Sequence, residues 1–172
     1  MRSYLNSVYN PKLAVDVMSI LIEQYPDAEM VMAGKDMGDK DYIINYIIEK
    51  NLEKAITVKD VISDSEKNEI AKDFDIYICT NLIDNAPVSF IEMMSLGLPI
   101  VSTNIGGIPY FVEDGETALL SSVDAKTLVN NVIKLIEDPI LANKISHQAF
   151  NFSRNFSHKT VLDECKKIIP VN

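Results

Sequence analysis

Short runs rich in β-branched residues alternate with longer segments of helical periodicity along the whole chain, and few folds accommodate that alternation. The spacing predicts helices over Pro11–Gln24, with Leu13, Val17, Ile20 and Leu21 on one side, and over Asp41–Lys50, with Ile43, Ile44, Ile47 and Ile48 placed for burial. It predicts strands over Ala28–Ala33, Ala55–Lys59, Asp75–Thr80, Ile100–Thr103 and Ala118–Leu120. A short helix falls within Ser65–Phe74, with Ser63 or Ser65 as its cap, and a helical piece within Ile108–Glu113. Asp124 caps a long helix whose apolar stripe is Leu128, Val129, Val132, Ile133, Leu135 and Ile136. Pro139 opens the next helix, through Phe150, and His158–Ile169 closes the chain. Strands joined by helices lie parallel and need cover on both faces, so the fold class is α/β: a doubly wound parallel, Rossmann-like sheet. At 172 residues and 47% hydrophobic, the chain suits one domain of about 150 residues with a proper core. No repeat, linker or low-complexity run interrupts it.

Charge narrows the function. The net charge is −9, so a nucleic acid or a basic membrane-binding patch is a poor fit. No apolar run approaches the ~20 residues of a spanning helix, and the N-terminus lacks the charged-then-apolar pattern of a secretion signal. Cys79 and Cys165 have no metal or redox spacing and read as buried thiols in a reducing cytoplasm. His147 and His158 sit on C-terminal helices with no second ligand type nearby, so no metal site is expected.

The richest local pattern runs from Asp84-Asn85-Ala86-Pro87-Val88-Ser89-Phe90-Ile91-Glu92 to Leu96-Gly97-Leu98-Pro99. Pro87 suits the first position of a helix, because its ring presets φ and its missing N–H would be unpaired there anyway. The N–H groups of Val88, Ser89 and Phe90 then lack partners inside the helix and point outward at the positive end of its dipole. Such an end binds phosphate. Asp84 lies just before it, and Glu92 shares a face with Ser89. Carboxylates suit sugar hydroxyls, since each accepts hydrogen bonds from two at once. The plain alternative is that Asp84 and Asn85 cap the helix and Glu92 is a solvated charge. Gly106-Gly107, after the next strand, allow a close backbone approach to a ligand or a tight turn.

An acid, seven residues, Glu92, and then a small-residue helix ending in Gly-x-Pro resembles the retaining GT-B glycosyltransferases often grouped as family 4. Their usual pattern has Glu at both places; Asp84 is one methylene shorter. The resemblance continues through Ser102-Thr103-Asn104-Ile105-Gly106-Gly107-Ile108-Pro109 and Asp114-Gly115-Glu116-Thr117-Ala118-Leu119-Leu120. Upstream it takes in Tyr9-Asn10-Pro11-Lys12-Leu13-Ala14-Val15 and Tyr25-Pro26-Asp27-Ala28. It implies the C-terminal, donor-binding half of such an enzyme over residues 1–172, without the N-terminal acceptor domain and most of the first strand. Asp84 and Glu92 become the catalytic carboxylates, on sugar hydroxyls and ribose diol respectively. Arg2, Asn85, Pro87, Val88, Ser89, Phe90, Gly106 and Gly107 become the nucleotide-sugar site. Arg2 aligns with the arginine used on the donor diphosphate, and Lys12 lies beside the place of a partner lysine. Main-chain groups of residues 59–62 would hold the base.

The implied donor is a UDP- or GDP-sugar, with no separate cofactor and no metal. The acceptor, a glycan or lipid-linked carbohydrate, would be met through the missing domain. The expected location is the cytoplasm, including the inner face of the membrane for a full-length enzyme. A gap left by the absent strand invites self-association. Two other readings share the fold: a non-catalytic nucleotide-binding or partner-docking module completed by another chain, and a nucleotide-sugar epimerase, for which no fitting acid/base set is found.

Overall fold

A computed structural model describes residues 3–168 of the chain. In order the elements are β1 (Ser3–Tyr4), α1 (Asn6–Tyr9), α2 (Pro11–Gln24), β2 (Met30–Ala33), β3 (Lys35–Asp36), α3 (Lys40–Glu49), β4 (Ile56–Lys59), α4 (Asp64–Lys72) and β5 (Tyr77–Cys79). There follow α5 (Val88–Ser95), β6 (Ile100–Thr103), α6 (Ile108–Phe111), β7 (Leu119–Ser121), α7 (Ala125–Glu137), α8 (Pro139–Ser153), a 3-10 turn (Arg154–Phe156) and α9 (His158–Ile168). Each predicted strand and helix is present, with ends displaced by up to three residues; Ile169 lies outside the described residues. Arg2 does too.

All strand pairs are parallel: β1 with β3, β2 with β4, and β5–β6–β7 in that order. Successive side chains of a strand point to opposite faces, and β5 to β7 bury both. Ile78, Val101 and Leu119 join the cluster built with α2, α3 and α7, including Leu13, Val17, Ile43 and Leu128. Their neighbours Tyr77, Cys79, Ile100 and Leu120 join a second cluster with Phe90, Met94, Ile108 and Ala149 from α5, α6 and α8. The sheet is therefore covered on both sides, and each fully buried large aliphatic or aromatic side chain in these layers contributes about 1.5–3 kcal/mol.

One expectation is corrected in its detail. The strands do not form one continuous hydrogen-bonded layer; among the described residues β2 and β5 are not paired to each other. β1 contributes only Ser3 and Tyr4, and these pair with Lys35 and Asp36 beyond the end of β2. Tyr4 is fully buried there, its hydroxyl 2.6 Å from Met32 O and 2.7 Å from Lys59 O, so a phenol ties the ends of β2 and β4 together. Burial pushes its pKa up to about 12.

Helix starts follow the capping signals. Ser63 accepts from Glu66 N at 3.2 Å, Asp124 from Thr127 N at 3.0 Å and Asp138 from Leu141 N at 2.9 Å. Periodicity overstated burial at the outer edge of each apolar stripe, which overhangs the core: Ile48 and Ile136 are exposed and Ile20, Ile44 and Ile133 half-buried. Cys79 is buried as expected, but Cys165 is exposed, since α9 buries none of its residues.

Candidate functional site

Parallel pairing decides which loops meet. Cys79 stands opposite Ser102, so the loops after β5 and β6 leave the sheet at the same, carboxyl edge. The first carries Asp84 and Asn85, the second Gly106 and Gly107. Thr103 Oγ1 donates to Asn81 O at 2.6 Å, and Gly107 N donates to Asp84 O at 3.0 Å. The fit tolerates no side chain. Gly106 has φ +54°, and a methyl group there would overlap Asp84 O. At Gly107 a Cβ would lie 2.6 Å from Asn85 O and 2.7 Å from Asn85 Cα. The glycine pair thus seats the acidic loop.

The loop is held from two more directions. Asn81 Nδ2 donates to Asp84 Oδ2 and Asn85 N to Asp84 Oδ1, both at 2.8 Å. Each Asp84 oxygen keeps lone pairs for further donors. From the N-terminal side, Leu82 N donates to Val8 O at 2.7 Å, and the Thr80 hydroxyl lies 3.0 Å from both Tyr9 O and Asn10 O. Residues 6–10 therefore pack on the same rim as the Asp84 loop.

The start of α5 differs from expectation in two ways. Pro87 is the residue before the helix, extended at ψ 121°, and the helix opens at Val88. Phe90 N donates to Pro87 O at 2.9 Å, so it is not free for a ligand, and the Phe90 ring is fully buried, edge-on to Tyr77 with centroids 6.3 Å apart. The N–H groups of Val88 and Ser89 have no hydrogen bond among the described residues, and no side chain caps the helix. Val88 and Asn85 are exposed and Ser89 half-buried, so this tip faces solvent beside Asp84.

Glu92 sits one turn into α5, where Lys67 of α4 reaches it: Nζ to Oε1 is 2.8 Å, and the same ammonium is 2.9 Å from Asp64 Oδ1. Burial works against the Lys67 charge, but the Glu92 and Asp64 carboxylates outweigh it and hold the pKa above the ordinary lysine value. These groups line a recess of about 180 Å³ with Asn68, Ser95 and Leu96. Reading the chain in sequence missed Lys67, because it lies 25 positions from Glu92 and only the packing of α4 beside α5 brings them together.

Lys12 turns elsewhere. Its ammonium bonds the Tyr46 hydroxyl at 3.1 Å and Asp16 Oδ2 at 3.0 Å, lies 4.4 Å from the Tyr46 ring centre, and is held well above the usual lysine pKa by those partners. It serves the α2–α3 contact. Both histidines are exposed. A larger recess, about 460 Å³, is lined by Asn104, Tyr110, Phe111, Glu113, Asp114 and Phe152 among others and includes neither Asp84, Glu92 nor the start of α5. The described residues contain no helix long and apolar enough to cross a membrane.

Comparison with known proteins bears on the family and the fold. Residues 3–152 match the family described as Glycosyl transferases group 1. An Escherichia coli protein named UDP-Gal:alpha-D-GlcNAc-diphosphoundecaprenol alpha-1,3-galactosyltransferase is 26% identical over 137 residues, 77% of this chain and 34% of its own length. The chain spans about a third of the curated relatives it matches. Among solved structures, Anabaena HepE in complex with UDP and glucose superposes with a TM-score of 0.85 at 20% identity, over 97% of this chain and 46% of that one. The C-terminal domain of the group 1 glycosyl transferase LpcC of Francisella tularensis gives 0.74 at 18% identity, over 92% of this chain and 84% of that domain.

Proposed function

Because the chain belongs to the group 1 glycosyl transferases, we propose that it is the donor-binding half of a retaining glycosyltransferase, moving a sugar from a nucleoside diphosphate to a glycan or lipid-linked acceptor. The observation that carries this reading is the open tip of α5 set against the seated Asp84 loop at the carboxyl edge of a parallel sheet. That edge is where open α/β sheets take their ligands.

The donor's diphosphate lies at the N–H groups of Val88 and Ser89, where the helix dipole favours negative charge. Those donors stabilise the charge that grows on the leaving diphosphate as the glycosidic bond breaks, a role like that of an oxyanion hole. Asp84, already fixed by Asn81 and the Asn85 N–H, accepts sugar hydroxyls with its remaining lone pairs. Glu92 takes the ribose diol. The new bond forms on the face the diphosphate leaves, so no protein nucleophile is required. The acceptor is held by a partner domain outside residues 3–168, and the protein works in the cytoplasm. HepE, solved with UDP and glucose bound, supports a nucleotide-sugar donor for this shared fold.

Titration calorimetry of the chain with UDP, GDP, ADP and their glucose derivatives tests the reading. Weak but saturable binding to at least one nucleotide, with no sugar transfer by the isolated chain, is the expected result. No heat of binding with any of them overturns it.

A further inference from the structure

We infer that Lys67 is a positioning residue for the donor site: it fixes the Glu92 carboxylate so that one oxygen is held and the other is presented to the ribose hydroxyls. The inference rests on the donor-site reading above and extends it to a residue on a different helix.

The ion pair joins α4 to α5, and its partners are unequally exposed. The Lys67 side chain is 23% exposed and that of Glu92 38%, whereas Asp64, the other carboxylate on Lys67, is 93% exposed. Partly exposed ion pairs add little to folding stability, so stability gives a weak reason for aiming a lysine across two helices. Lys67 Nζ occupies Glu92 Oε1, and Oε2 accepts no hydrogen bond among the described residues. Lys67 is also the only partner that the Glu92 carboxylate has among them. Without it the glutamate would spread over several rotamers, and the cost of ordering it would fall on ligand binding. Charge points the same way. Asp64, Glu66 and Glu92 lie close around Lys67 and Lys59, with Lys59 Nζ 2.8 Å from Glu66 Oε1. Loss of the Lys67 ammonium would leave an uncompensated negative wall where an anionic nucleotide must approach.

The test compares each ribonucleoside diphosphate with its 2′,3′-dideoxy analogue by calorimetry, in the unaltered chain, in Lys67→Met and in Lys67→Arg. The unaltered chain is expected to prefer the ribonucleotide by about tenfold, Lys67→Met to lose most of that preference, and Lys67→Arg to keep it. Lys67→Gln, which keeps a donor without the charge, is run beside these so that a misfolded methionine variant does not decide the matter; it too should lose the preference. A Lys67→Met or Lys67→Gln chain that still discriminates as the unaltered one does overturns the inference. So does one that binds the ribonucleotide more tightly, which would show the lysine competing with ribose. An unaltered chain that binds both nucleotides equally overturns the Glu92–Lys67 role and leaves the diphosphate reading standing. Failure of UDP, GDP and ADP alike to bind removes both.

Discussion

The starts of α5 and α7 use the same kind of residue to opposite ends. At α7, Asp124 folds its carboxylate onto Thr127 N at 3.0 Å and closes the helix. At α5, the nearby acid turns away: Asp84 takes its hydrogen bonds from Asn81 and Asn85, and the helix opens with no side-chain cap. α7 is a packing element, with Leu128, Val129, Val132 and Leu135 buried against the core, so satisfying its first N–H groups internally only adds stability. α5 packs Phe90, Met93 and Met94 just as firmly, yet leaves two N–H groups at the sheet edge to solvent. The difference shows that an uncapped start can be kept by a loop that holds its carboxylate in another place, and here Gly106 and Gly107 are what hold that loop.

The largest expected effect breaks this contrast at its seat. Gly107→Ala needs no unusual backbone, since φ is −87°, but its methyl group must displace Asn85. Overpacking of this kind costs about 1–3 kcal/mol, and nucleotide binding should fall beyond detection by calorimetry while the chain stays folded by circular dichroism. Retained binding would separate the glycine pair from the α5 tip. Next, Glu92→Ala should weaken nucleotide affinity by roughly 1–3 kcal/mol, the cost of leaving polar partners unpaired; unchanged affinity removes Glu92 from the site.

A third change leaves the site alone and tests the fold. The folded pKa of Tyr4 is raised, so its neutral phenol stabilises the fold fully below the unfolded value near 10, and that contribution is lost as pH rises through 10 towards about 12. Tyr77, raised by burial, and Lys67, held up by its carboxylates, add losses of the same sign. Thermal melts of Tyr4→Phe against pH should therefore show a shallower alkaline decline than the unaltered chain, together with about 1 kcal/mol less stability at neutral pH from the lost hydroxyl bond. The smallest effect sharpens the opening contrast: Asp124→Ala should cost about 1 kcal/mol of stability, read by urea unfolding, and leave nucleotide affinity unchanged. An equal loss of affinity would mean that α7 and α5 are not as separate as their starts suggest.

Much of the fold is legible in the chain order alone. The alternation of Val- and Ile-rich runs with helical spacing points to the parallel, doubly covered sheet, because strands like Ile100–Thr103 are buried on both faces, Ser102 and Thr103 included. Pro87, Asp84 and Glu92 draw attention to one loop and the helix that follows it. What the chain order hides is tertiary. Phe90 N–H is consumed by Pro87 O, three residues back, in a tightened first turn that the proline rule does not foresee. Gly106 and Gly107 meet Asp84 and Asn85 through the register of β5 on β6, which no local signal encodes. Lys12 is adjacent in sequence to the expected phosphate contact, but α2 carries it towards Tyr46. Lys67 is invisible for the same reason that it matters: it acts across two helices.

The central claim is that the Val88 and Ser89 amides receive the diphosphate. Amide chemical shifts of the nitrogen-15-labelled chain, followed during titration with UDP, GDP and ADP, test it most directly. The account predicts that the Val88 and Ser89 signals move furthest, those of Asp84 and Asn85 move less, and Phe90, tied to Pro87, moves little. Shifts confined to residues 110–117 around the larger recess, with Val88 and Ser89 unmoved at saturation, would contradict it.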